Sequence, residues 1–81
     1  MLKEALLFMV RSVVRNPGEV NVLEKEIPHG TRFVVNVDDD DIGALIGRGG
    51  STIGAIRTMM SAFAQGNNVH VEVRTPNKAR A

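Results

Sequence analysis

The 81-residue sequence has no cysteine, no tryptophan and no tyrosine. Without cysteine there is no disulfide framework and no thiolate metal site, as expected for a reducing compartment. The three aromatic residues, Phe8, Phe33 and Phe63, are all assigned to apolar stripes. Long hydrophobic runs are also missing: residues 5–10 are apolar but too few to cross a bilayer. The start, Met1-Leu2-Lys3-Glu4, carries an early acid, and no small-residue cleavage site follows, so no signal peptide is predicted. These absences point to a cytoplasmic protein without membrane insertion. The length allows one domain near the lower limit for independent folding, where an added interface would contribute useful burial.

Catalytic and metal signatures are absent too. His29 and His70 read as a turn residue and an exposed strand residue, and no nucleophile–base pair stands out. The run Asp38-Asp39-Asp40-Asp41 fails the calcium-loop pattern, because Ile42 takes the fifth position and no glutamate takes the twelfth. It reads instead as a helix start, with one aspartate capping and its neighbours favouring the positive first turn. No metal, cofactor or enzymatic activity is expected.

The sequence does contain a glycine-rich break, Gly47-Arg48-Gly49-Gly50, between two apolar segments. Its glycines let a ligand approach the backbone closely. It opens onto a helix start, where unpaired N–H groups and the helix dipole attract anions, and its one side chain, Arg48, suits phosphate. It is not a Walker loop, since no Gly-Lys-Ser/Thr follows. Nor is it a dinucleotide fingerprint, since Thr52 stands at the third glycine position and no strand leads into it. The formal charge is only +1, but it is unevenly spread: residues 1–47 hold five bases and eight acids, net −3, and residues 48–81 hold five bases and one acid, net +4. The sign changes at the glycine loop, which favours a phosphate-bearing partner there.

Periodicity predicts the elements. Leu2, Ala5, Leu6, Met9, Val10 and Val13 mark an amphipathic helix over residues 2–15, stopped by Asn16-Pro17-Gly18. Residues 19–27 and 32–37 alternate as strands joined by a short turn, Pro28-His29-Gly30, which makes an antiparallel hairpin. A helix runs from the aspartates to Ile46. A second, over residues 51–65, buries Ile53, Ile56, Met60 and Phe63, with Met59 and Ala64 beside them. Gly66-Asn67-Asn68 ends it, and Val69, Val71 and Val73 mark the last strand. The two intervening helices allow the second and third strands to lie parallel. Residues 76–81 read as a flexible tail.

The stretch Leu45-Ile46-Gly47-Arg48-Gly49-Gly50-Ser51-Thr52-Ile53 resembles the hallmark of KH domains, Ile-Gly-x-x-Gly-x-x-Ile around a G-x-x-G loop. Over about residues 1–75 the chain is similar to the small bacterial single-KH proteins of the KhpA (YlqC) family. The resemblance implies an α+β fold, a single type II KH domain of order α-β-β-α-α-β with helices covering one face of a three-stranded mixed sheet. Residues 1–27 would form an amino-terminal extension and residues 31–74 the minimal motif.

The family implies a non-catalytic protein that binds single-stranded RNA, with about four nucleotides clamped at the loop. Gly47, Arg48, Gly49, Gly50 and Ser51 would take the sugar-phosphate chain. Ile42, Leu45, Ile46 and Ile53 would line the groove for bases, Gly54 would keep it open, and Val35 or Val37 would form its far wall. Arg57 would reach a phosphate or a base edge, or else be a solvated charge. Stacking on aromatics is not expected. An alternative is a protein-interaction module: Ile56, Met59, Met60 and Phe63 form a broad apolar stripe suited to self-association. The family likewise implies a homodimer, pairing with a KhpB (Jag/EloR-type) protein, and roles in RNA chaperoning and in cell-shape and envelope control.

Overall fold

The computed structural model describes residues 1–75, so the tail expected at 76–81 lies outside the described residues. Helix α1 spans Leu2–Val13, with Leu6 and Val10 buried. It ends two residues earlier than its apolar pattern suggests, because Val14 turns extended at φ −100° and ψ 160° ahead of the proline break. A single 3-10 turn at Pro17–Glu19 then re-aims the chain, so strand β1, Asn21–Ile27, starts two residues later than expected.

Strand β2, Gly30–Asn36, pairs antiparallel with β1 across a two-residue turn, with Ile27 opposite Gly30 and Val22 opposite Val35. Gly30 starts β2 rather than sitting in the turn. A Cβ there would run into the carbonyl oxygen of Asn68, so only glycine lets the two chains begin this close together. Strand β3, Asn68–Arg74, pairs parallel with β2, Phe33 facing Val71. The sheet order is β1-β2-β3. Between β2 and β3 lie a 3-10 turn at Asp39–Asp41, helix α2 (Ile42–Ile46), a 3-10 turn at Arg48–Gly50 and helix α3 (Ser51–Phe63). The order is α-β-β-α-α-β, that of a type II KH domain.

All three helices pack on one face of the sheet. The core joins Leu6 and Val10 of α1 with Val22, Phe33 and Val35 of the sheet, Leu45 of α2, and Ile53, Ile56 and Met60 of α3. The expected stripe on α3 is correct at its first three positions but not at its last. Ala64 is buried, at 4% exposure, and Phe63 is 46% exposed. Position 64, four residues after Met60, stays on the core face, whereas position 63 rotates towards its edge. Phe8 also departs from expectation: it stands 74% exposed on α1. Two of the three aromatics therefore face solvent.

Candidate nucleic-acid interface

The segment that presents the loop is anchored before the loop begins. Asp38 accepts a hydrogen bond from Asp40 N–H at 3.0 Å, which caps the 3-10 turn. Asp41 behaves differently from its neighbours: it is 1% exposed. Its Oδ1 accepts from Arg15 N–H at 3.0 Å, and its Oδ2 accepts from Asn16 N–H at 3.0 Å and Asn16 Nδ2 at 3.1 Å. Burial alone would raise the Asp41 carboxyl, but these bonds together with the charge of Arg15 outweigh it and hold the group below the ordinary carboxylate range. The backbone N–H groups of Arg15 and Asn16, just past the end of α1, are thus satisfied by the residue that precedes α2. The aspartate run is a cap and a brace. Among the described residues no cluster of three potential metal ligands occurs.

Helix α2 is short and stops at Gly47, whose N–H bonds Gly43 O at 2.9 Å. Gly47 has φ 77°, and a Cβ there would lie 2.7 Å from Thr52 N. The loop can therefore pack tightly against the start of α3 only with glycine at this position. Gly49 and Gly50 also take left-handed φ, 62° and 80°, but the space where their Cβ atoms would stand is open. The result is a ledge of bare backbone. Gly50 N–H bonds back to Gly47 O at 3.1 Å and Ser51 N–H to Arg48 O, which closes the turn. No side chain caps α3, so its first N–H groups stand beside this ledge. Arg48 is exposed and makes no hydrogen bond or ion pair among the described residues.

Around the ledge, Ile42, Ile46 and Gly54 are half-buried, with free space at Gly54 where a side chain would stand, and Ser51 is exposed. Leu45 is fully buried and Ile53 is 4% exposed. They form the floor under Ile42 and Ile46 rather than a contact surface, because both belong to the buried core against which Ile42 and Ile46 pack. Val35 and Val37, expected as a far wall, are 0% and 1% exposed. Val35 points to the helix-covered face and Val37 into the core beyond the strand, so neither borders the groove.

Arg57 is also used differently from expectation. Its Nε and Nη2 donate to one acceptor, Val71 O, at 3.2 and 3.0 Å. β3 is an edge strand, and this carbonyl points away from β2. Arg57 thereby ties α3 to the sheet edge and blunts that edge. On the same helix, the stripe suggested for self-association divides. Ile56 and Met60 are buried in the core, while Met59 and Phe63 are 45% and 46% exposed. Phe63 joins Met1, Leu2, Ala5, Ala62 and Gln65 around a shallow cavity of about 380 Å³ between the ends of α1 and α3.

Sequence reasoning missed the role of Asp41, because its partners lie 25 and 26 residues upstream and are mainly backbone groups. No helix among the described residues is long and apolar enough to cross a membrane.

A family model described as KhpA/KhpB, KH domain, matches residues 3–74. The chain is similar to an RNA-binding protein KhpA of Leifsonia xyli subsp. xyli, 41% identical over 73 residues, covering 90% of this chain and 96% of the relative. A Streptomyces coelicolor protein of the same name is 40% identical, covering 90% and 91% of the two chains. Another from Chlamydia pneumoniae is 38% identical, covering 89% and 92%.

Proposed function

The chain belongs to the KhpA/KhpB KH-domain family, and we propose that it binds single-stranded RNA, without catalysis, by clamping the sugar-phosphate backbone at the loop from Gly47 to Gly50. The observation that carries this reading is the ledge itself. Three glycines at left-handed φ expose Cβ-free backbone beside an uncapped helix start and an unpartnered arginine. Phosphate oxygens would accept from those N–H groups of the ledge and helix start that do not close the turn, and Arg48 supplies the countercharge. Relatives that share this chain's length carry the name RNA-binding protein, which supports the same ligand.

In this arrangement Gly47, Arg48, Gly49, Gly50 and Ser51 face the backbone. Ile42 and Ile46 offer apolar surface to the bases, with Gly54 leaving room and Leu45 and Ile53 supporting from below. Arg57 shapes the site by holding α3 against β3. Few phosphates are engaged, so binding is weak and its salt dependence shallow. The test compares wild type with Arg48→Asp, Gly49→Asp on short single-stranded RNAs at several salt concentrations, with circular dichroism to confirm folding. Binding that salt weakens and the variant lacks supports the clamp; equal binding by both sinks it.

A second, compatible reading is assembly. Exposed Met59 and Phe63 beside the cavity between α1 and α3 offer apolar surface to a second copy or to a KhpB-type partner. We place the protein in the cytoplasm with these partners. Sedimentation showing a monomer at concentrations of tens of micromolar would count against self-association.

A further inference from the structure

The sheet face away from the helices carries a second concentration of charge. Alternation along the strands sends Leu23 and Lys25 of β1, Arg32 and Val34 of β2, and His70 and Glu72 of β3 to that side. The registers align them in rows. Lys25 stands directly opposite Arg32, and Arg32 directly opposite His70. Two permanent cations and an imidazole thus form one line across all three strands. With strands about 4.8 Å apart, the line spans about 10 Å.

All three side chains are exposed, and none makes a hydrogen bond or ion pair among the described residues. Glu24 and Glu26 flank Lys25 in sequence, but alternation turns them to the other face. The carboxylate on this side is Glu72, whose Oε2 accepts from Arg74 Nε at 2.6 Å. Directly opposed like charges destabilise a strand pair. Lys25 opposite Arg32 therefore costs the free protein stability, and a bound polyanion would offset that cost.

We propose that the row Lys25–Arg32–His70 is a second phosphate-binding surface, which holds the backbone of a single RNA strand that continues past the loop. The identity of the polyanion rests on reading the loop as an RNA clamp; the charge row stands independently. The longest extent of the molecule is 33 Å. At about 3.4 Å per stacked nucleotide, a strand needs on the order of ten nucleotides to pass from one side to the other. Short RNA engages the loop alone, and longer RNA engages both surfaces.

The test uses Lys25→Thr with Arg32→Thr, exposed positions where a β-branched residue suits a strand. Binding is measured to a tetranucleotide and to an unstructured oligouridine of about 20 nucleotides, twice the required span. The expected result is unchanged tetranucleotide affinity and about tenfold weaker binding of the long RNA at low salt. The log–log salt slope should be shallower by about 1.4, for two phosphates at about 0.7 each. Without RNA, the variant should melt at or above wild type.

Long-RNA affinity and salt slope equal to wild type overturn the proposal. So does loss of self-association in sedimentation with RNA binding intact, which would assign the row to a second copy. The Arg48→Asp, Gly49→Asp variant is run in parallel. Its failure to reduce tetranucleotide binding counts against the loop clamp, while the row is judged only on the change in long-RNA binding.

Discussion

Arg57 gives two of its guanidinium nitrogens, at 3.2 and 3.0 Å, to the single carbonyl oxygen of Val71. One side chain thereby fixes the spacing between the helix that starts at the loop and the edge of the sheet. A cation that sequence reading offers to the ligand is largely committed to the protein itself. Replacing Arg57 by Ala should lower the unfolding free energy by about 1–2 kcal/mol, towards the low end for a charged donor because the side chain is exposed. Urea denaturation would show it as a lower midpoint with an unchanged slope. RNA affinity should fall less than it does for Arg48→Asp, because the group lost is a brace.

Asp41 should make stability depend on pH in a defined direction. Its folded pKa lies below the ordinary 3.8. An acid with a depressed folded pKa contributes stability that is fully present above the unfolded value and is lost as pH falls through the folded one. Wild type should therefore melt several degrees above Asp41→Asn near neutrality. The gap should narrow once pH drops below about 3.8. Parallel melting curves across that range check it; a gap that does not change with pH would remove the carboxylate from the account.

The loop glycines should separate by mechanism. Gly49→Ala adds a methyl into open space and meets only left-handed strain, about 1 kcal/mol. Gly47→Ala places a side chain at φ 77° and ψ 171°, a region essentially confined to glycine, and also drives a Cβ against Thr52, so its loss should be clearly larger. Thermal melts of the two single variants decide the order. Equal losses would mean that Thr52 yields freely.

Neighbouring apolar residues on α2 should behave oppositely. Leu45→Ala empties a fully buried site and should cost about 2–5 kcal/mol. Ile46→Ala trims a half-buried side chain beside the ledge, so it should cost less stability but weaken RNA binding. Denaturation and RNA titration of both variants test this; if Leu45→Ala proved the milder change in stability, the floor would be misplaced.

On α3, Met59→Lys with Phe63→Lys alters only exposed apolar surface. The fold should survive with a melting temperature close to wild type, while any self-association in sedimentation is lost. Retained association would move the assembly surface away from this helix.

Element order, the hairpin, the loop and most of the core were legible in the amino-acid pattern alone. Each rests on local signals: period 3.6 in α1 and α3, period 2 in β2 and β3, Pro17 after the first helix, and three glycines in four residues at the loop. Tertiary structure decided what local pattern leaves degenerate. Of the adjacent apolar residues Phe63 and Ala64, the helix phase at Met60 puts only the second in the core. Of four consecutive aspartates, only Asp41 meets the N–H groups of Arg15 and Asn16, beyond the end of α1. Arg57 finds a carbonyl on a strand that arrives 14 residues later. Lys25, Arg32 and His70 become one row only when the registers of both strand pairs are fixed. In the last three cases the deciding partner is distant in the chain, and periodicity carries no information about which distant group a side chain will meet.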